Sequence, residues 1–522
     1  MDLKKIFNEK LLYISTVLLI MLQPLIDMDY LIYDFLDSFG LPRFSTVIRF
    51  IIIPLMIIFC FFIKEKNKKK TFTLGFIYGV VMLIYYVLHV KQSIYLYPIL
   101  DLTTNFKFNW FQELTYILTL ILPYGVIYII YHLKFDEKTI KLITLVSAST
   151  ISIPIFLGDL FVFGKSTYFG YTVANFFSWF DGIYLKHHPR ELTSKFFFNE
   201  GNTIGILMFM LLPLLLYFFT KEEKKQNKIL MGILIFIHCL SMQILGTRVA
   251  TFGAVLIPAI YLVIYLFDSL VMKNQKMQKS ILGFLLILTA VFGLILDYTP
   301  AVENQRVDAE NDLALLHNQA AEEGRNALKD APLIPGSKEF NDFYIFMFEQ
   351  YGIKAKYASS IPTMYYIDWY NYKFDPKFWV DVIFLPVYDR VGGRRIQALF
   401  TNYKWAILSP KEKILGMGYS TFMNGSIVLE KDFVQQIYTL GYLGMFLTCF
   451  IWIFIVLYGG IKVLRNFKKL VNLEIMTYAI ALLAGLGTAY ISGHTLDQFV
   501  TTMFMSMLAA ILLNRVNENE KA

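Results

Sequence analysis

The sequence predicts an all-α polytopic membrane protein of about twelve transmembrane helices, with one large helical loop between the ninth and the tenth. Three observations predict it. Of the 522 residues, 56% are hydrophobic and only 17% are charged, well below the roughly 25% of soluble domains. Apolar runs of about 20 residues recur from end to end, each long enough to cross roughly 30 Å of hydrocarbon. The connectors between them alternate in charge, one set being strongly basic.

Taken in order, the runs are Leu11 to Ile26, Phe44 to Ile63, Thr71 to Val90, Glu113 to Leu133, Ile140 to Leu160, Thr203 to Thr220, Ile229 to Leu245, Val249 to Leu270, Ser280 to Leu296, Phe433 to Gly460, Ile475 to Ser492 and Phe499 to Leu513. The first follows the basic start MDLKKIFNEK and resembles a signal peptide. No small-residue cleavage site follows, because the chain continues PLIDMDYLIYDF, so it is expected to stay as an uncleaved first span. The connectors KEKNKKK, KFDEKTIK, KEEKKQNK, KNQKMQK and KVLRNFKK, with both termini, carry about 24 Lys and Arg, against about eight in the short connectors of the other set. The positive-inside rule puts the basic set in the cytoplasm. The expected protein is therefore a multi-pass protein of the cytoplasmic membrane, with both termini cytoplasmic and the large loop extracytoplasmic. Along the chain it divides into residues 1–299 (nine helices), 300–432 (the loop) and 433–522 (three helices).

The net charge of +8 is thus mostly a topology signal and implies no nucleic-acid partner; the partner surface is membrane lipid. Three cysteines, Cys60, Cys239 and Cys449, all fall inside apolar runs and suit buried packing rather than disulfides. No Cys/His spacing suggests a metal site. In the large loop, VENQRVDAENDLALLHNQAAEEGRNALKDAP reads as a polar helix. SKEFNDFYIFMFEQYGI reads as an aromatic amphipathic helix, suited to lying on the membrane or covering a cavity, and RRIQALFTNYKWAIL as a further helix.

Polar groups with chemical capacity gather at the ends of spans. In QILGTRVATFG a single arginine, Arg248, separates two apolar runs with almost no loop. Such a charge faces protein or a watery cavity, and its planar fork suits phosphate oxygens; the plainer alternative is snorkelling to the interface. In YDRVGGRRIQALF, Arg390, Arg394 and Arg395 flank or open a helix, which is unfavourable for the helix dipole unless an anion sits there. After the glycine turn ILGMGY, Glu430 and Asp432 stand at the start of span ten. A carboxylate there is favourable on dipole grounds alone, and at an apolar boundary it also suits general-base work. Asn199, Glu200 and Asn202 open span six in FFFNEGNTIG. His494 lies in the turn YISGHTLDQF and is the best placed of the seven histidines, whereas His89, His132 and His238 suit structural roles.

Together these pieces resemble the O-antigen ligase and O-antigen polymerase superfamily of envelope glycosyltransferases. The matching elements come in family order: GTRVATFG, the large loop between spans nine and ten, GGRRIQALFTNYKWAI followed by ILGMGY, and EKDFVQQIYTLGYLG with its G-x-x-G. FNEGNTIG and SGHTLDQ are similar to the Gram-positive branch, which includes teichuronic-acid-type polymerases and lipoteichoic acid ligases. The resemblance implies a glycan or teichoic-acid-like polymer donor on undecaprenyl diphosphate and a glycolipid or lipid-linked sugar as acceptor. It implies transfer without a divalent metal or other cofactor, arginines taking the leaving-group charge. Many members place a histidine where this chain has Glu430; the resemblance gives the base role to that position, with Asp432 and His494 as further catalytic candidates. Arg248, Arg390, Arg394 and Arg395 are then the expected diphosphate ligands. The competing class is a polysaccharide or lipid transporter or flippase, which would keep its polar residues near the midplane in broken, repeated helices.

Overall fold

The computed structural model describes residues 8–171, 175–307, 320–331, 334–390 and 393–521. Twelve helices in it are long and apolar enough to cross a membrane. They are Glu9–Ser38, Phe44–Lys64, Lys68–Ile99, Trp110–Leu133, Glu137–Leu160, Gly201–Lys221, Lys225–Leu245, Arg248–Val271, Lys279–Tyr298, Asp432–Arg465, Leu473–Ile491 and Phe499–Asn519. They are called spans one to twelve below. Each expected run has its helix, most ends moving by a few residues. Span one runs furthest beyond its expected end, from Ile26 to Ser38, and span three runs on from Val90 to Ile99. No glycine or proline interrupts Lys91–Tyr97, so the helix continues past the apolar run to Ile99. One short antiparallel hairpin, Lys165–Ser166 with Ser194–Phe196, is the only strand pairing among the described residues.

By contacts the chain forms two compact units. The first comprises Met1–Ile77, Leu118–Asn304 and Cys449–Ala522; the second comprises Tyr78–Ile117 and Gln305–Thr448. This differs from the linear division at 299 and 432. The loop gathers segments of spans three, four and ten because its apolar core includes them: Leu96, Leu100 and Phe106 pack with Phe348, Tyr370, Trp379 and Phe400. At roughly 25 cal/mol per Å² such ring burial is the main force holding the loop to these helices.

In the first unit, span six is apolar all round and is buried along almost its whole length. It packs on spans five, seven, eight, eleven and twelve, as a helix without a polar face must. In the second unit, helix Lys338–Met347 is capped by Ser337, whose hydroxyl accepts from Phe340 N (3.1 Å). Its face Phe340, Tyr344 and Met347 joins the loop core, so the expected amphipathic helix covers its own domain. Ala320–Ala327 forms part of the expected polar helix, and 308–319 of that stretch lie outside the described residues. The third expected helix is Gly393–Ile407.

Candidate active site

Span ten is broken inside the second unit. At Gly441 the backbone takes φ +73° and ψ 176°, which only glycine adopts readily. A break strips carbonyls of their helical donors, and in a membrane protein they need replacements. The ILGMGY turn and span three supply them. Tyr438 O accepts from Met417 N (3.0 Å), Thr439 O from Gly418 N (2.8 Å), and Leu440 O from the Tyr85 hydroxyl (2.7 Å). The fit is too close for side chains. A Cβ on Gly416 would lie 2.3 Å from Gly441 N, and one on Gly444 would lie 2.0 Å from Tyr85 Oη. The two glycine motifs that looked separate in sequence are thus the two halves of one joint.

A buried clamp holds that joint from the other side. Glu113, in the first turn of span four, is fully buried. Its Oε1 accepts from Tyr419 N (2.9 Å) and its Oε2 from Ser420 N (2.7 Å). His89 Nε2 lies 2.8 Å from Glu113 Oε1, and His89 Nδ1 lies 2.6 Å from Leu415 O. Both ring nitrogens thus face oxygen atoms, and the ring bridges the Glu113 carboxylate and the Leu415 carbonyl. Tyr419 also stacks on Tyr116 at 3.6 Å between centroids. His89 is structural, as expected; Glu113 was missed as its partner. The available signal was a lone carboxylate opening an apolar run.

Next to this joint, the structure brings together Arg394 and Glu430. The guanidinium of Arg394, on helix Gly393–Ile407, pairs with the carboxylate of Glu430, in the bend just before span ten. Arg394 is half exposed and Glu430 about a quarter exposed, so the pair is open to solvent and to a ligand. Gln397, one turn along from Arg394, is buried, and its Oε1 has no partner among the described residues. Burial and the Glu430 carboxylate push the Tyr365 phenol up to about 12. Sequence reasoning missed Tyr365 and Gln397, for their roles depend on which helix turns toward Glu430. Asp432 is buried as the first residue of span ten. Arg395 is exposed on the same helix as Arg394. Arg390 is different: it is buried, donating to Leu385 O (3.2 Å), to Tyr357 O and to Ser360 Oγ (3.2 Å). Its expected place at a diphosphate gives way to tying two stretches of the loop together.

The remaining expected residues lie in the first unit. Gly246 ends span seven in the left-handed conformation (φ +71°). Thr247 caps span eight, its hydroxyl accepting from Ala250 N (3.4 Å), and Arg248 is the first helical residue, exposed. The last carbonyls of span seven are covered by the 165–196 segment: Leu245 O accepts from Thr167 Oγ1 (2.8 Å) and Gly246 O from the Tyr168 hydroxyl (3.2 Å). Span six starts against this turn. A Cβ on Gly205 would meet Thr247 Oγ1 at 2.6 Å, so the glycine lets the Asn199–Asn202 opening approach the arginine's turn. Asn199 and Glu200 share a small cleft with Asp27 and Gln498. Asn202 is half-buried one residue into span six. Asn199 O accepts from Lys195 Nζ (2.8 Å), and burial lowers that ammonium from the usual lysine range. His494 takes φ +56° in its turn, with Nδ1 3.5 Å from Asp497 Oδ2.

A charged cluster at the same cleft was not singled out from sequence. Asp27 pairs with Arg49, whose guanidinium lies 5.4 Å from the Phe499 ring, and Asp29 accepts from Arg43 (2.5 and 2.8 Å). The signal lay in PLIDMDY and LPRFSTVIRF, where charges interrupt apolar runs.

No curated protein and no solved structure matches the chain. A family model described as O-antigen ligase like membrane protein matches residues 5–519. The chain therefore belongs to the O-antigen ligase like membrane protein family, a family of membrane glycan ligases and polymerases.

Proposed function

We propose that the protein is a membrane glycosyltransferase of the ligase or polymerase type. It moves a glycan or teichoic-acid-like polymer from undecaprenyl diphosphate to a glycolipid or lipid-linked sugar at the outer face of the cytoplasmic membrane. FNEGNTIG and SGHTLDQ support the Gram-positive branch of the family. The acceptor hydroxyl oxygen attacks the anomeric carbon. The bond from that carbon to the diphosphate oxygen breaks, its electron pair leaves with the diphosphate, and the hydroxyl proton passes to a carboxylate. Charge grows on the leaving group, so cations belong there, and a base belongs at the acceptor oxygen.

The observation that carries this reading is the Arg394–Glu430 pair at the start of span ten, in a chain of this family. A diphosphate offers more charge and more acceptor oxygens than one carboxylate, and competes for the guanidinium. As Arg394 turns to the diphosphate, Glu430 is freed to take the proton of the acceptor hydroxyl. Arg395, on the same helix, is a second diphosphate ligand, and Asp432 supports the proton transfer. The sequence resemblance alone suggests diphosphate binding for Arg248, proton transfer for His494, and polar substrate contacts for Asn199, Glu200 and Asn202.

Glu430→Gln keeps shape and removes basicity. Transfer per folded molecule, measured in liposomes with purified lipid diphosphate donor, is expected to fall by about 10²–10⁴-fold. Full activity would sink the assignment and pass the role to His494. Gene deletion separates the two reaction types. Short lipid-linked units accumulate if a polymerase is lost; full-length polymer lacking its glycolipid anchor accumulates if a ligase is lost. Lipid-linked glycan trapped at the cytoplasmic face would instead identify a flippase.

A further inference from the structure

The second unit carries a cleft that the transfer chemistry does not use. Thr104, Asn105, Lys107, Trp369, Asn424 and Ser426 line it. Its cavity volume is ≈ 370 Å³, at the lower end of the roughly 300–1,000 Å³ range of small-molecule sites. Other clefts differ in kind. The two at Leu11–Phe62 and at Ile455–Val516 are lined almost wholly by aliphatic and aromatic side chains, as suits acyl chains.

Three features of this cleft fit one ligand class. The first is the indole. Trp369 is half-buried, packed on the aromatic core, and met edge-on by Tyr365 at 4.5 Å between centroids. Its orientation is therefore fixed, and it presents a rigid aromatic surface together with an N–H. The second is hydrogen-bonding capacity. Asn105 Nδ2 donates to Asp368 O (3.1 Å) and Asn424 Nδ2 donates to Lys107 O (2.5 Å), so both amides are held in place. Among the described residues, Thr104 Oγ1, Asn105 Oδ1, Lys107 Nζ and Ser426 Oγ have no protein partner. The third is the backbone. Ser426 holds φ +58°, a conformation glycine would adopt at less cost, and Gly425 before it sits where a Cβ would lie 2.3 Å from Phe106. The serine there adds a hydroxyl to the cleft lining.

We propose that this cleft binds a saccharide unit of the glycan. A pyranose offers an apolar C–H face for the indole and a rim of hydroxyls that both donate and accept, which is what fixed amides and hydroxyls match. Lys107 adds one positive charge, so a carboxylate- or phosphate-bearing sugar binds better than a neutral one. A lipid tail is not the occupant, because it would leave these polar groups desolvated and unpaired. The site would hold the growing or finished chain while its end reacts. This identity of the ligand rests on the glycan-transfer reading above; the binding itself does not.

The test uses the full chain in lipid nanodiscs. The probe is the oligosaccharide freed by mild acid from the lipid-linked glycan of the producing cells, without lipid or diphosphate. Titration calorimetry reads its binding to the wild type, to Trp369→Ala, and to Lys107→Gln, the last on an exposed side chain whose loss leaves the fold alone. Binding to the wild type is expected, weakened about tenfold in Trp369→Ala, the scale of one lost aromatic contact. Lys107→Gln should weaken an acidic oligosaccharide severalfold and leave a neutral one unchanged. In parallel, transfer is followed with a donor carrying one repeat unit and a donor carrying many. Trp369→Ala should raise KM for the long donor and leave the short one unaltered, and Lys107→Gln should do the same where the glycan is acidic. No binding to the wild type, or equal binding to all three proteins, overturns the cleft proposal while transfer still proceeds. Binding as expected with no transfer from either donor upholds the cleft and refutes the transferase reading.

Discussion

Replacing Glu113 by glutamine tests whether the buried clamp organises the glycine joint. The substitution keeps length and shape. The carboxylate accepts from three donors, His89 Nε2, Tyr419 N and Ser420 N, at 2.7 to 2.9 Å. A glutamine accepts on one oxygen only, and its NH₂ must face at least one of these donors. That donor is left buried without an acceptor, at about 1–3 kcal/mol. The remaining bonds also lose the charged acceptor, and a charge-assisted bond falls to an ordinary one, about 1 kcal/mol more. The sum is about 2–4 kcal/mol. For a cooperative unit of 150–250 residues, each kcal/mol moves the melting temperature by about 2–4 °C, so a fall of about 5–15 °C is expected. Nanodisc-embedded protein followed by tryptophan fluorescence gives the melting curve. Transfer per folded molecule should fall as well, because the clamp holds the start of the stretch that runs from Tyr419 to Glu430. Adding His89→Leu to Glu113→Gln should cost little more, since the two side chains act as one unit. A melting temperature within about 1 °C of the wild type, with unchanged transfer, would refute the reasoning.

Other consequences follow from particular residues. If Arg248 grips diphosphate, Arg248→Lys loses part of the transfer per folded molecule and Arg248→Ala loses about 10- to 100-fold; full activity in the lysine variant returns it to an interfacial role, and activity abolished by chelator and restored by a divalent ion assigns the leaving-group charge to a metal. Lys404 is buried, its ammonium donating to Tyr370 Oη (2.9 Å) and Asp101 O (3.2 Å), and burial lowers its pKa from 10.5 to about 8. Between those two values the unfolded chain holds a proton that the folded one lacks, so this lysine makes stability rise with pH from about 8 to about 10.5 and contributes no slope below 8. Melting curves against pH should show that rise in the wild type and lose it in Lys404→Met; equal slopes would exclude the lysine as its source. Cysteines placed near Lys165 and Arg325 should react with an impermeant thiol reagent on whole cells and those near Lys224 and Lys468 should not; the reverse pattern would move the large loop to the cytoplasm.

The twelve spans were legible in the sequence because the requirement behind them is local. An apolar run of sufficient length in lipid must satisfy its backbone within itself, and only a helix does so. The turn at Gly246–Arg248 was legible for the same reason: a left-handed glycine, a capping threonine and a first-turn residue are neighbours in the chain. The glycine pairs at 416 and 418 and at 441 and 444 were visible as motifs, but not as one joint. Only the fold sets Gly416 against Gly441 and fills the broken carbonyls of span ten from elsewhere.

Charges were visible as residues and not as partners. Arg394 and Glu430 were both singled out, yet their pairing needed a helix to turn one toward the other; Arg390, four residues away, is turned into the loop instead. Glu113 lies 306 positions from Tyr419 and holds its amide, and Trp369 meets Asn105 and Asn424 only because two loops are drawn over one aromatic core. Composition and periodicity determine which segments leave water. Which buried donor meets which acceptor depends on angstrom-scale distances between parts of the chain far apart in sequence, and those distances belong to the tertiary structure alone.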